Sequence, residues 1–234
     1  SFNRNKINEL VDNVVIEEQL FNIDRLDVGG LGRASFILTP GGTLGDLYST
    51  QDLKRDSNGN IYVDNDGNIS SVKIDDGIYL GSVFPKYNMS WRNDLSWNNF
   101  NLGFMLSARI GGIVYSSTQA ALDFYGVSDD SAIARDNGGV VINGGDVIPA
   151  RTWYNAIGAS DGLPQYYTYS ATNVRLQELS IGYTFPSTML KFGSVSISAV
   201  ARNLWMIYNK APFDPEAVAT TGNYFQGIDH FMVP

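Results

Sequence analysis

The sequence predicts an all-β chain, specifically an antiparallel segment of a transmembrane β-barrel. Residues 87–110 alternate between apolar and polar side chains over two arms of about 11 residues each, and residues 175–204 repeat the pattern. Strands of soluble proteins usually have about 5–6 residues, whereas crossing a bilayer takes about 9–11 tilted residues. The third observation is that short turns alternate with very long connections.

Composition narrows the class of protein. Hydrophobic residues make up 44% of the 234 residues and charged residues only 17%, below the roughly 25% usual for soluble domains. The net charge of −8 and the scattered Lys and Arg argue against a nucleic-acid partner. No apolar run approaches the roughly 18 residues of a membrane helix, so any membrane crossing requires β-strands.

Residue types exclude several kinds of site. The absence of Cys excludes disulfides, thiol catalysis and zinc–thiolate centres. His230 is the only His, so neither a multi-His metal site nor a His-based catalytic triad can form within the chain. The chain opens on SFNRNK and stops at HFMVP without a closing strand, and we therefore expect it to be a piece of a longer protein.

The first part of the chain gives weaker signals. Residues 33–48 predict a strand that Pro40-Gly41-Gly42 interrupts. Residues 49–86 are polar and contain two turn clusters, DSNGN and DNDGN, which predict a protruding loop carrying its own small hairpin.

The hairpin at 87–110 is the strongest local prediction. Its apolar residues occupy odd positions before Asn98-Asn99 and even positions after it, as a hairpin closed by a two-residue turn requires. This places Trp97 opposite Phe100, Leu95 opposite Leu102 and Trp91 opposite Leu106 on one face. The opposite face collects Ser90, Arg92, Asp94, Ser107 and Arg109, and we interpret Arg92, Asp94 and Arg109 as a charge lattice facing the lumen.

A second excursion and a second hairpin follow. Residues 118–172 are rich in Gly, Asp and Tyr, and a structureless loop of this length usually indicates a functional segment. Residues 175–185 and 194–204 then form two alternating arms around Pro186, with Val200 breaking the alternation. Short turns on one side and long loops on the other are typical of outer-membrane barrels, with short periplasmic turns and long extracellular loops.

Two segments resemble a known family. NVRLQELSIGYTFPSTML (173–190) and ARNLWMIYNKAPFDPEA (201–217) are similar to the C-terminal barrel of SusC-like (SusC/RagA) TonB-dependent transporters, which show "lRLknltlGYtlP" and then "grNLf…GfDPE". The matching positions are Arg175, Leu176, Leu179, Gly182, Tyr183, Pro186, Arg202, Asn203, Leu204, Phe213, Asp214, Pro215 and Glu216. Residues 81–102 resemble the family's "GsP.Pky..g..N.fsyknFdL" hairpin. Residues 41–49 resemble its "G.pig.fYG" strand end more loosely, departing at Thr43, Leu47 and Ser49.

The resemblance implies a function for the whole chain. Residues 1–234 would be the C-terminal portion of one barrel domain, with four complete spanning strands, one or two partial ones and three external loops, and without the plug domain and the final strand. The family imports glycan oligosaccharides or peptides across the outer membrane of Gram-negative, Bacteroidetes-type bacteria. Import is powered by the TonB complex, which acts through an N-terminal region outside this chain. A SusD-like surface lipoprotein covers the transporter as a lid. The expected partners are therefore that lipoprotein, TonB, the substrate and outer-membrane lipid, and neither catalysis nor a cofactor is expected.

Alternatives remain open from the residues alone. A soluble β-sandwich that binds carbohydrate would use Trp153, Tyr154, Tyr166, Tyr167 and Tyr169 to stack on sugars. A β-structured hydrolase lacks a convincing nucleophile or acid–base pair, since Asp75-Asp76 and Asp129-Asp130 are adjacent loop carboxylates. Residues 62–73 resemble a calcium loop, but Tyr62 and Lys73 occupy ligand positions and Asx turns explain the pattern. No catalytic, metal or substrate-binding residue is assigned. Barrel and sandwich differ in what contacts the face that carries Trp91, Leu95, Leu102 and Phe104. In a barrel this face contacts lipid, and in a sandwich it contacts a second sheet.

Overall fold

The structure is a computed structural model that describes residues 2, 5–16, 19–186, 188, 193–216 and 228–229. The described residues form two compact units. The long-strand unit contains Pro85–Gly112 and Ser170–Pro215, and the mixed unit contains Asn5–Phe84 and Ile113–Tyr169. No helix in the described ranges is long and apolar enough to cross a membrane.

The elements of the described residues are mostly strands, with four short helices grouped in one stretch of chain. In order they are β1 (Val11–Ile16), β2 (Gln19–Ile23), β3 (Leu26–Leu31), β4 (Ala34–Leu38), β5 (Asp46–Leu53), β6 (Ser71–Ser82), β7 (Tyr87–Trp97), β8 (Phe100–Ile110), β9 (Ile113–Ser116), α1 (Ser117–Phe124), α2 (Asp129–Asp136), β10 (Val140–Ile142), β11 (Asp146–Ile148), α3 (Ala150–Gly158), α4 (Pro164–Tyr167), β12 (Thr168–Ser170), β13 (Asn173–Phe185), β14 (Val195–Asn209) and β15 (Ile228–Asp229).

The long-strand unit is a four-stranded antiparallel sheet in the order β14-β13-β8-β7. The β7–β8 hairpin has the register that the sequence predicts, with Trp97 opposite Phe100, Leu95 opposite Leu102 and Trp91 opposite Leu106. Asn98 adopts a φ of 51° in the turn, a conformation that Asn tolerates better than most residues. The predicted hairpin is therefore confirmed residue by residue.

Strand β13 joins the two hairpins into one sheet. It pairs with β8 on one side and β14 on the other, so that Ile181 lies between Leu102 and Ala199. Strands β13 and β14 have 13 and 15 residues, longer than the predicted arms. A bulge at Gln177 shifts the register between Leu176 and Glu178, which keeps even-numbered Leu176 and odd-numbered Leu179 on the same face. Most of the predicted turn after Pro186 lies outside the described residues.

The two ends of this sheet differ, as predicted. The two-residue turn at Asn98-Asn99 closes β7 onto β8 at one end. At the other end, β8 stops at Ile110 and its neighbour β13 begins at Asn173, so the whole of 111–172 is inserted between paired strands. Two hydrogen bonds close the base of this insertion, from the Ala171 amide to the Gly112 carbonyl (2.9 Å) and from the Gly111 amide to the Thr172 hydroxyl (3.0 Å).

The mixed unit corrects the prediction for its first part. Strands β3 to β6 form a second four-stranded antiparallel sheet in sequence order, and β6 occupies 71–82. The predicted loop over 49–86 is thus wrong in extent, and the polar segment between β5 and β6 runs only over 54–70. Charged side chains interrupt β6 (Lys73, Asp75 and Asp76), which is why its alternation gave no strand signal.

The insertion between β8 and β13 is folded around a core. Helices α1 and α2 begin where the hydroxyls of Ser116 and Ser128 accept hydrogen bonds from the amides of Gln119 and Ser131. The core of the mixed unit is formed by buried residues from the sheet and from the insertion: Ala34, Phe36, Leu47, Leu53, Tyr115, Ala120, Ile157, Leu163 and Tyr167. The all-β expectation missed these helices because each has at most nine residues, too few to show a sustained helical period.

Candidate functional site

One face of the long-strand sheet is apolar across all four strands. Trp97, Phe100, Tyr183 and Ile197 form one row of paired residues, and Leu95, Leu102, Ile181 and Ala199 form the next. These side chains are open to the surroundings: Trp97 is 74% exposed, Trp91 56% and Ile197 63%. A second sheet packed on this face would have buried them, so the observation does not support the sandwich alternative.

Aromatic rings mark the two ends of this apolar face. At the turn end, the Tyr183 ring lies 4.7 Å from the rings of both Phe100 and Phe185. At the other end lie Tyr87 and Tyr208, and the rows in between mix aliphatic side chains with Trp91 and Phe104, whose rings meet edge-on at 5.4 Å. Strands of 11 residues with a rise of ~3.4 Å and a tilt of ~40° span about 29 Å, enough for the ~25 Å apolar band of an outer-membrane barrel with its two aromatic girdles.

The opposite face of the same sheet carries charges. The Glu178 carboxylate lies between two guanidinium groups, 3.3 Å from Arg92 and 3.3 Å from Arg202, and Arg92 also pairs with Asp94 at 3.0 Å. The predicted charge lattice therefore exists for Arg92 and Asp94, and it also contains Glu178 and Arg202. Arg109 lies opposite Asn88, four residues and about 13 Å along β8 from Met105, which is the residue that pairs with Arg92.

The bulge contributes to this polar face. The Gln177 side chain accepts a hydrogen bond from the Ser107 hydroxyl (3.1 Å) and donates one to Asn203 (3.0 Å), bridging β8, β13 and β14. Asn203 has a φ of 50° and lies where β14 is itself irregular. Asn203 in the "RNL" motif was the one sign of this irregularity in the sequence. The alternation pattern of a single strand does not show which residue of the neighbouring strand lies opposite a bulge.

A buried ion pair explains two of the motif residues. The Arg175 guanidinium donates two hydrogen bonds to the Asp214 carboxylate, at 2.7 and 3.2 Å, and the Arg175 side chain is only 6% exposed. The Asn209 side-chain amide donates to the carbonyls of Ala211 (2.9 Å) and Phe213 (2.5 Å). These contacts hold the segment that leaves β14 against the start of β13, and the two motifs form one structural clamp.

The aromatics of 153–169 have a different role from the sugar-stacking one considered above. Tyr167 is buried in the core of the mixed unit, and Trp153 packs on that core with its ring edge-on to Tyr166 at 5.6 Å. Because Tyr167 is buried, it presents no ring face to a sugar. Tyr154 lines an open cleft.

That cleft lies between α1, α2 and α3 and has a volume of about 440 Å³. Its wall contains one buried carboxylate, Asp123, and two exposed guanidinium groups, Arg135 and Arg151. Burial, and then the charges of Asp123 and Asp130, raise the pKa of Tyr154, and the same causes raise the pKa of Tyr169 to about 12. Sequence reasoning could not identify this cleft because it depends on how three short helices pack.

The other candidate residues have structural roles. The Asp64 carboxylate accepts hydrogen bonds from the amides of Asp66 (3.0 Å) and Asn68 (2.7 Å), so the interpretation of 62–73 as an Asx turn is confirmed. Asp75-Asp76 lie within β6 rather than in a loop, and Asp129-Asp130 form the first turn of α2. Among the described residues no group of three or more His, Cys, Asp or Glu side chains is placed to hold a metal, and His230 lies outside them.

Comparison with known proteins supports the resemblance. The chain is 27% identical over 237 aligned residues to the "TonB-dependent receptor P3" of Formosa agariphila, a match that covers 93% of this chain and 22% of that protein. A solved structure of the RagAB peptide importer in its closed-closed state matches 82% of the chain with a TM-score of 0.51 and 16% identity. Its open-open state matches 89% with a TM-score of 0.48 and 14% identity. No family model matches.

These findings confirm the predicted resemblance to TonB-dependent transporters and the predicted antiparallel β fold. The Formosa agariphila protein supports the resemblance in sequence, and the closed-closed RagAB structure supports the fold. The chain spans about a fifth (22%) of the length of each of these two proteins.

Proposed function

We propose that this chain forms part of the β-barrel of an outer-membrane TonB-dependent transporter, with residues 1–234 as its C-terminal portion. The observation that carries the proposal is the sheet with one exposed apolar face and one charged face across four strands of 11 to 15 residues. In a barrel the apolar face meets lipid and the charged face meets the lumen. The relative named as a TonB-dependent receptor supports the same class of protein.

The substrate and partners belong to the same proposal. We infer that the whole protein imports an oligomeric nutrient, a glycan or a peptide, together with a SusD-like surface lipoprotein and with energy from TonB. The similarity to the RagAB peptide importer favours a two-protein uptake system. The relatives are named as a receptor and an importer, which is consistent with transport rather than catalysis.

Cysteine labelling tests the orientation of the sheet, using the absence of native Cys. We expect Asp129→Cys, in the long insertion, to react with a membrane-impermeant maleimide on intact cells. Asn98→Cys, in the short turn at the other end of the sheet, should react only after the cells are lysed. Thr221→Cys should label like Asp129→Cys, because an even number of spanning strands separates them, although Thr221 lies outside the described residues. Labelling of Asn98→Cys and not Asp129→Cys on intact cells would invert the assignment.

The isolated chain provides a second test. Strands β7 and β14 are the edges of the long-strand sheet, and its apolar face is exposed, so the 234-residue chain should aggregate in buffer without detergent. Sedimentation velocity in buffer and in detergent measures this directly. A soluble monomer with a cooperative thermal transition in buffer would contradict the barrel and favour a soluble domain.

A further inference from the structure

The cleft between α1, α2 and α3 contains charged groups that are not part of the long-strand sheet. It lies wholly within the insertion and opens to the surroundings. Its volume of about 440 Å³ falls in the range of small-molecule sites, roughly 300–1,000 Å³. It is lined by Asp123, Phe124, Tyr125, Gly126, Ser131, Arg135, Ala150, Arg151, Tyr154 and Asn155.

Asp123 is the unusual member of this set. It is only 5% exposed, and a carboxylate at that depth is normally paired with a cation. Its partners are neutral: the Gln119 side-chain amide donates to it at 3.2 Å, and the Tyr167 hydroxyl also interacts with it. The hydroxyls of Tyr154, Tyr167 and Tyr169 are near enough for the Asp123 charge to raise their pKa values, so they too stay neutral. In the part of the chain that the structure describes, no cation forms an ion pair with Asp123.

The cations of the cleft are elsewhere on its wall. Arg135 and Arg151 are both exposed, and Arg135 is fixed by a hydrogen bond from Nη1 to the Gly126 carbonyl at 2.7 Å. Neither forms an ion pair within the described ranges. The wall also contains two aromatic residues, Phe124 and Tyr125, whose rings meet edge-on at 5.2 Å. The cleft therefore offers a buried anion, exposed cations and aromatic surface on one wall.

We propose that this cleft binds a dipolar ligand of amino-acid or short-peptide chemistry. The ligand's ammonium group meets Asp123 beside the Tyr154 ring, and its carboxylate meets Arg151 and Arg135. A neutral sugar would leave the buried Asp123 charge without a counter-ion, so the charges select against it. The inference gives a substrate class to the transporter proposed above and rests on that proposal for its biological role, but the binding itself requires no transport.

The test is calorimetric titration of the full-length protein in detergent with three matched probes. Trialanine carries both terminal charges, N-acetyl-trialanine lacks the ammonium and trialanine amide lacks the carboxylate. We expect trialanine to bind and each blocked probe to bind at least tenfold more weakly. Equal binding of the three probes, or binding of none of them, would overturn the proposal. Neither outcome affects the labelling test, which addresses the barrel alone.

Matched variants assign each charge to its residue. Asp123→Asn should weaken the binding of trialanine at least tenfold and leave the binding of N-acetyl-trialanine unchanged. Arg151→Gln should also weaken the binding of trialanine at least tenfold, and it should leave the binding of trialanine amide unchanged. Asp129→Asn, an exposed carboxylate on α2 outside the cleft, is the control and should bind all probes as the parent does. If Asp123→Asn fails to fold, the exposed Arg151→Gln still decides: an unchanged affinity for trialanine there contradicts the proposal.

Discussion

Replacing Leu102 by Arg should destabilise the full-length protein in lipid by about 1–2 kcal/mol, because a cation on the lipid face of an outer-membrane barrel costs about 2–4 kcal/mol at the midplane and about 0–1 kcal/mol near the interfaces, and Leu102 lies between these depths. Leu102 lies two residues inside the turn end of β8, between Leu95 and Ile181, and is 38% exposed on the apolar face. Urea-induced unfolding in lipid vesicles, followed by Trp fluorescence, measures the change in the free energy of unfolding.

The structure selects the control for this substitution. Gly103 is the neighbour on the polar face, but a Cβ there would lie 2.5 Å from the Ser180 hydroxyl and 2.7 Å from the Asp94 carboxylate, so Gly103→Arg is not a tolerated change. Asn101 is the better choice, because it also neighbours Leu102, faces the polar side and is exposed. We expect Asn101→Arg to cost less than about 1 kcal/mol, as exposed polar substitutions usually do. Equal costs for Leu102→Arg and Asn101→Arg would contradict the two-faced assignment.

Stability alone does not separate lipid from a protein interior, so fluorescence quenching completes this test. In a variant whose other three Trp are changed to Phe, Trp91 should be quenched by lipids brominated along their acyl chains. A matched variant that keeps only Trp97 places its indole six residues nearer the turn, about 15 Å along the membrane normal for a tilted strand. Bromines near the headgroups should quench Trp97 more, and bromines deeper in the chain should quench Trp91 more. Absence of quenching in a correctly folded barrel would place this face away from lipid.

The elements that the sequence predicted well are those with a long alternation. The β7–β8 hairpin was predictable to the residue pair because its apolar parity switches at Asn98-Asn99, where Asn residues favour a two-residue turn that satisfies the switch. In β13 the same reasoning found the arm from Leu179 onward but not the bulge at Gln177. A bulge resets the parity, and its position becomes visible only when the partner strands are known.

The mixed unit was predicted poorly for a physical reason. Its strands and helices are short, and they are stabilised by packing on a shared core rather than by a long amphipathic period. Tyr167 illustrates the consequence: its ring looked available for a ligand, whereas it fills the core with Ala120 and Leu163. The charge of Asp123 was visible in the sequence, but its burial and its position in a cleft depend on contacts among α1, α2 and α3 that no local pattern encodes.

The clamp between the two family-like motifs carries the second large expected effect. Asp214→Ala removes both hydrogen bonds from the Arg175 guanidinium, whose side chain is 6% exposed in the parent protein, beside the start of β13. Breaking a buried pair by removing one partner typically costs about 3–5 kcal/mol. The Asp214 side chain is 40% exposed, so solvent screens part of the interaction, and we expect a cost on the order of 2 kcal/mol.

A double variant distinguishes the ion pair from simple loss of packing. Arg175→Met with Asp214→Leu removes both charges and leaves apolar groups of similar length, which in buried pairs is often close to neutral. We therefore expect the double variant to be more stable than Asp214→Ala, and hydrogen exchange of the amides in 209–216 to be fast in Asp214→Ala and slow again in the double variant. If Asp214→Ala changes the free energy of unfolding by less than about 0.5 kcal/mol, the range of an ordinary surface substitution, the two motifs are not held together by this pair.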